Sequence, residues 1–299
     1  MRGTGALRVP VDDGHLVVHR LNAAPTGAPA VVALHSVSSN ALSWQPVADR
    51  LDGRVRVLAP DMRGRAESAA LHSGGLAHHA RDVVAVADHL GLARPVVAGH
   101  SVGAFAATLA AASYPDRFSG LVMVDGGVAL PEAGPREVDT LLRAALGPAM
   151  SRLRMTFADE AEYLEFWRRH PGLAPFLDGP TRAPLVAFLL HDLVGEPGAL
   201  HSSTPLAAVR SDWSDLVSDA ATLESVHALQ VPAHLLWAVR GPLDEPEGLY
   251  TAEALERARL PEDLALTRLA TNHYGTLLDP AAVGAVAGAI EALAALPVP

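Results

Sequence analysis

Apolar positions along the chain fall into two kinds of run. Short stretches that are apolar at nearly every position, "AVVALH" (30–35), "RVRVLAP" (54–60), "RPVVAGH" and "SGLVMVDGG", alternate with segments of helical period. These are "NALSWQPVADRL", "GLAHHARDVVAVADHLG" and "SVGAFAATLAAASYP". A strand apolar on both sides must be covered on both sides. The alternation therefore predicts a parallel sheet between two layers of helices. Ahead of it, "ALRVPVDDGHLVVHRL" alternates about Asp12-Asp13-Gly14 and predicts a hairpin.

After residue 130 the alternation stops. From 131 to 228 the pattern is helical, as in "REVDTLLRAALGPAMSRLRM" and "EAEYLEFWRRH", with no strand signal. Strands resume at "VPAHLLWAV" (231–239) and "LALTRLA" (264–270), and the Ala/Leu-rich "PAAVGAVAGAIEALAAL" closes the chain as a helix packed on the sheet. The expected organisation is one α/β core domain, 1–130 with 229–299, interrupted by a helical cap insertion, 131–228.

Composition narrows the chemistry. The 299 residues include no cysteine, and all 23 basic residues are arginine. Thiolate nucleophiles, disulfides, Cys-type zinc sites, Schiff-base lysines and a P-loop lysine are all excluded. A formal charge of −10 without a basic cluster argues against nucleic acid as a partner. No apolar run reaches the ~20 residues of a membrane span, and the N-terminal "MRGTGALRVPVDDGHLVVHR" lacks a signal-peptide centre. A cytoplasmic protein is expected; its oligomeric state is open.

One turn stands out. Gly99-His100-Ser101-Val102-Gly103 joins a strand to a helix in the pattern G-x-S-x-G. A serine at the apex of such a turn sits in strained backbone, and the glycines on either side let the chain fold back beneath it. Its Oγ then projects at the sheet's carboxyl edge, where a helix N-terminus favours negative charge. A serine needs a base, and His273, in "LATNHYGTLLDP" after the last strand, has the position for it. The other histidines read as surface or structural: His78 and His79 as helix-face residues, His100 as a packed neighbour. The oxyanion donors expected are the backbone N–H groups of Val102 and of Val37 in "LHSVSSNALSW".

With these motifs, "LAPDMRGRAES", "LVMVDGG", "VPAHLLWAVRGPLDEP" and "NHY", the chain resembles the α/β-hydrolase superfamily, in its capped serine-hydrolase branch, over nearly its whole length. The resemblance implies an eight-stranded, mostly parallel sheet with the second strand antiparallel. It also implies a cap after strand six, and no cofactor or metal. Relatives with aspartate at the elbow form alkyl-enzyme esters, which Ser101 argues against.

Three departures bear on the site. His35-Ser36 stands where the family has His-Gly. Asp61-Met62-Arg63-Gly64-Arg65-Ala66 lacks the last glycine of D-x-R-G-x-G, and reads as a structural turn. In the loop after the penultimate strand, Gly241 replaces the usual triad aspartate. Asp244, three residues on, is the first candidate for the acid; Asp125, at the end of strand six, is the alternative, with Glu245 or no acid beyond them.

The insertion supplies Met150, Met155, Phe157, Tyr163, Phe166, Trp167, Phe176, Phe188 and Trp213. Most are expected to form the insertion's own core. The rest would give an apolar pocket for a small hydrophobic ester-like substrate. Arg168, Arg169 and Arg182 read as a solvated face that could meet a carboxylate. The leading expectation is hydrolysis of an ester, lactone or thioester. The alternatives are a C–C bond hydrolase or lyase using the same residues, and a ligand-binding or signalling protein on the same fold.

Overall fold

The hairpin forms as the alternation predicts, with β1 (Ala6–Val11) pairing antiparallel to β2 (Gly14–Arg20). In the computed structural model, residues 5–129 and 147–297 are described. The apolar runs become β3 (Ala30–Leu34), β4 (Arg56–Pro60), β5 (Val96–His100) and β6 (Gly120–Val124). Helices α1 (Gln45–Leu51), α2 (Leu76–His89) and α3 (Val102–Ser113) lie between them. Beyond the insertion come β10 (Ala233–Arg240), a short helix Ala252–Arg257, β11 (Ala265–Asn272) and the closing helix Pro280–Ala294.

The sheet has eight strands in the order β1-β2-β4-β3-β5-β6-β10-β11. Only the pairings of β2, with β1 and β4, are antiparallel. The continuous hydrophobicity of the strands is explained by their two faces. Val32, Leu34, Val97, Leu121 and Met123 join α2 and α3 in one core, while Val31, Ala33, Val96, Ala98, Val122 and Val124 join α1 and the closing helix in the other. Each strand thus feeds two cores in alternate residues.

Between β6 and β10 the described residues hold strands as well as the helices expected there. Besides α4 (Pro148–Ser151), α5 (Glu160–Arg168), α6 (Arg182–His191), α7 (Leu206–Ser218) and α8 (Ala220–Glu224), they form a small sheet of β7 (Thr156–Phe157), β8 (Leu193–Val194) and β9 (Leu200–Ser202), in the order β7-β9-β8. Strands of two or three residues are too short to show a period. The expected boundary at 131 and the helical pattern over 136–146 lie outside the described residues. Among the described residues no helix is long and apolar enough to cross a membrane.

Buried polar groups tie the segment between β6 and β10 to the loops and helix beside the sheet. Asp212 on α7 pairs with Arg65 at 2.6 Å and His79 at 3.0 Å, and accepts the Ser73 hydroxyl at 2.6 Å. His79, expected as a helix-face residue, is buried because this carboxylate gives its ring a partner. Asp215 accepts the N–H of Leu76 at the start of α2, and Asn40 donates to the carbonyl of Phe188 on α6.

Candidate active site

The glycines of the elbow are required by contact. A Cβ on Gly99 would stand 2.1 Å from the carbonyl oxygen of Gly103, and one on Gly103 would stand 2.3 Å from that of His35. Strand β5, helix α3 and the loop after β3 therefore meet at separations only glycine allows. Between them Ser101 takes φ 56° and ψ −123°, the strained apex expected. Gly126 closes in from β6, where a Cβ would lie 2.2 Å from the Ser101 carbonyl oxygen. The end of β6 is thereby pressed against the serine.

That contact decides which acid meets His273. The Nδ1 of His273 lies 2.6 Å from Oδ2 of Asp125, a carboxylate with no exposure to solvent. A carboxylate only accepts, so Nδ1 carries the hydrogen and Nε2 of the neutral ring holds a lone pair. The other oxygen, Oδ1, accepts the N–H of Ala238 on β10 at 3.0 Å. Asp125 is thus built into the seam between β6 and β10.

Asp244, the first candidate from the sequence, does not reach the histidine ring. Its carboxylate accepts from Arg240 Nε at 2.8 Å and from Asn272 Nδ2 at 3.0 Å, and it remains partly exposed. Gly241 and Asp244 sit in a turn closed by the Asp244 N–H on the Gly241 carbonyl. The turn directs this side chain to the neighbour of His273 instead.

His100 is neutral support. Its Nε2 donates to the carbonyl of His273 at 3.1 Å, the two rings lie 4.6 Å apart between centroids and tilted by 32°, and burial holds its pKa well below the usual value. The Thr276 hydroxyl donates to the same carbonyl.

Val102 is the first residue of α3, so its N–H belongs to the first turn, where no intrahelical acceptor is available. Val37 lies in a turn closed by the Ser39 N–H on the Ser36 carbonyl at 3.2 Å. Ser36 keeps negative φ, so the loop needs no glycine there. The buried Arg65 grips the Val37 carbonyl through Nε at 2.9 Å and Nη2 at 2.7 Å, and the Arg63 carbonyl through Nη1. The D-x-R-G-x segment is therefore a support beneath this loop, and Ala66 sits at φ 42° where a glycine would be at ease.

Ser101 and His273 line one cavity between the sheet edge and the insertion. Of the nine large residues singled out in the insertion, Tyr163, Trp167, Phe188 and Trp213 face it; Phe157 instead packs on Tyr163 and Phe166. Arg168 and Arg169 pair on the outside with Asp178 and Glu165. The cation that does line the cavity is Arg152, buried and paired with Asp192 at 3.3 Å, its guanidinium over Trp167. Burial would discourage its charge, but Asp192 more than restores it. The pair leaves the cavity formally neutral. Neither residue has a sequence signature, since each is an ordinary charge until the chain folds.

Residues 29–192 match the α/β hydrolase fold family, more than half of the chain. The chain belongs to the α/β-hydrolase family. This α/β-hydrolase is 32% identical over 131 residues to lipase LipV of Mycobacterium tuberculosis, covering 43% of the chain and 50% of the lipase. It is 30% identical over 218 residues to the putative carbamate hydrolase RutD of Variovorax paradoxus, covering 66% of the chain and 78% of that protein. The chain spans about a third to a half of the length of several curated relatives, the lipase among them. Among solved structures, that of E-2-(acetamidomethylene)succinate hydrolase superposes with a TM-score of 0.76 at 20% identity, covering 96% of this chain and 98% of that one, a likeness of fold.

Proposed function

We propose that the protein is a serine hydrolase of carboxylic ester-type bonds, with Ser101 as nucleophile, His273 as base and Asp125 as the acid that orients it. The observation that carries this reading is the 2.6 Å bond from His273 to Asp125 beside a cavity that Ser101 also lines. In this mechanism His273 Nε2 takes the hydroxyl proton as Ser101 Oγ attacks the carbonyl carbon. The oxyanion is held by the N–H groups of Val102 and Val37. The imidazolium then protonates the leaving alcohol or thiol. Water, deprotonated by the same ring, releases the acid and restores the serine. Asp125 holds the tautomer and stabilises the imidazolium throughout.

The insertion, 131–228 as read from the sequence, serves as the cap. The neutral Arg152–Asp192 pair and the apolar walls suit a small uncharged, hydrophobic substrate. A second reading, cleavage of a carbamate by the same steps, is favoured by the relative named a putative carbamate hydrolase.

A fluorophosphonate probe tests the nucleophile. Stoichiometric labelling is expected, lost in Ser101→Ala together with burst release from p-nitrophenyl esters. A panel of esters, lactones, thioesters and carbamates then ranks the bonds. Absence of labelling and of turnover across the panel would overturn the assignment.

A further inference from the structure

Outside the cavity, four side chains from three parts of the chain converge. His19 comes from β2, Asp61 and Glu67 from the segment after β4, and His191 from the end of α6 in the insertion. Their ligand atoms, His19 Nε2, His191 Nε2 and one oxygen from each carboxylate, all lie within 4.8 Å of one another. None of the four lines the cavity.

Hydrogen bonding alone serves this cluster poorly. Asp61 Oδ2 faces His191 Nε2 at 2.9 Å, His19 Nε2 at 3.1 Å and the Glu67 N–H at 3.2 Å. That is three donors for one oxygen with two lone pairs. His19 Nε2 also faces Glu67 at 3.3 Å, so its single hydrogen is shared between two carboxylates. With neutral imidazoles the set carries two negative charges, and Arg65 nearby is committed to Asp212 and the Val37 carbonyl.

A divalent cation resolves each of these conflicts. Imidazole lone pairs replace N–H groups at the centre, and the charges cancel. Two nitrogens and two oxygens are a zinc donor set; calcium and magnesium take oxygen alone. A tetrahedral zinc site with bonds of about 2.0–2.1 Å places its ligand atoms ~3.3 Å apart; His191–Asp61, His19–Asp61 and His19–Glu67 already stand at 2.9, 3.1 and 3.3 Å, and the other pairs lie within 4.8 Å. The outer support is in place as well: the Ala41 N–H donates to Asp61 Oδ1 at 2.9 Å. Asp61 is fully buried, whereas the Glu67 side chain is 52% exposed and leaves a path from solvent.

We propose that His19, Asp61, Glu67 and His191 form a four-ligand zinc site that staples the insertion to the core. The site is closed by protein ligands, so its role is structural. It holds α6, whose Leu185, Phe188 and Leu189 roof the cavity and whose following residue, Asp192, pairs with Arg152.

The test uses the full chain without an affinity tag, stripped with chelator and titrated with zinc chloride by calorimetry, with metal content read by mass spectrometry. Binding of ~1 equivalent is expected, with a raised unfolding midpoint and, for cobalt, the visible bands of a four-coordinate site. Glu67→Gln alters a half-exposed residue and leaves the fold intact; it should weaken zinc by at least about tenfold. His19→Gln with His191→Gln should abolish binding, while Ser101→Ala should retain it. Failure of the native chain to bind zinc would overturn the proposal and leave a hydrogen-bonded His–Asp–His cluster. Equal binding by the native chain and the Glu67→Gln and double-histidine variants would overturn it too, placing the metal on other histidines.

Discussion

Asp125 and His273 stand 148 residues apart in the chain and are joined by a 2.6 Å bond between Oδ2 and Nδ1. Asp125 also replaces a backbone acceptor for β10, so the carboxylate bonded to the imidazole is part of the sheet seam. Under the proposed mechanism Asp125→Asn should lower kcat by about 10⁴-fold, because the amide favours the wrong tautomer. Asp244→Asn should change kcat only a few-fold, because its partners are Arg240 and Asn272. Steady-state kinetics on a p-nitrophenyl ester reads both; the reverse order would exchange the roles.

Arg65 is a positioning residue for the loop that carries Val37. In Arg65→Met, Asp212 keeps His79 and Ser73 but loses its cation, and two carbonyls lose their donor. Stability should fall by roughly 3 kcal/mol, as for other broken buried pairs, measured by urea unfolding. Loosening the Val37–Ser38 peptide should also lower kcat by up to about 10²-fold with little change in KM. A loss confined to stability would mean the loop keeps its shape unaided.

Ala66 offers the opposite sign. Its φ of 42° is a left-handed conformation that costs a residue with a Cβ about 1–2 kcal/mol. Glycine removes that cost but adds ~0.5–1 kcal/mol of unfolded-chain entropy. Ala66→Gly should therefore raise stability by up to about 1 kcal/mol, read as a higher urea midpoint at unchanged slope.

Stability should fall on the acid side. Burial holds His35 at a pKa of about 3, His170 at about 4 and His100 well below its usual 6.5. Just below 6.5 the unfolded chain binds protons that these folded imidazoles do not, so ∂ΔG/∂pH is positive there. At pH 5 the neutral imidazoles of His35 and His170 each cost about 2 kcal/mol relative to pH 7, and His100 acts in the same direction. His191 acts in the opposite sense in metal-free protein: burial would lower its pKa, but Asp61 more than compensates and raises it. Below the usual carboxylate pKa, Asp61 and Asp212 add to the loss. Both are lowered against the push of burial, Asp61 by His19 and His191, Asp212 by Arg65 and His79. Urea midpoints at pH 7.5 and 5.0 test this. A flat profile would mean that protons reach these rings without unfolding.

Much of the molecule was legible from spacing alone. Continuous apolar runs between helical segments identified the two-sided sheet, because a strand buried on both faces has no room for polar residues. G-x-S-x-G located the elbow, because Gly99 and Gly103 answer a local steric demand that any chain folding back on itself must meet. Between β6 and β10 the alternation breaks, and the two- and three-residue strands found there leave no signal, since no period fits within them.

The partner of His273 was decided only in three dimensions. From the sequence, Asp244 and Asp125 were both carboxylates following strands, and a loop pattern favoured the former. What separated them was the contact of Gly126 with the Ser101 backbone and the pairing of β6 with β10, which bring a buried carboxylate to the imidazole and leave Asp244 one residue to the side. The same holds for Arg152, Asp192 and the His19–Asp61–Glu67–His191 cluster. Backbone sterics act over a few residues and leave a local signature; charges find their partners across the whole fold, and their distances exist only once the sheet and insertion have closed together.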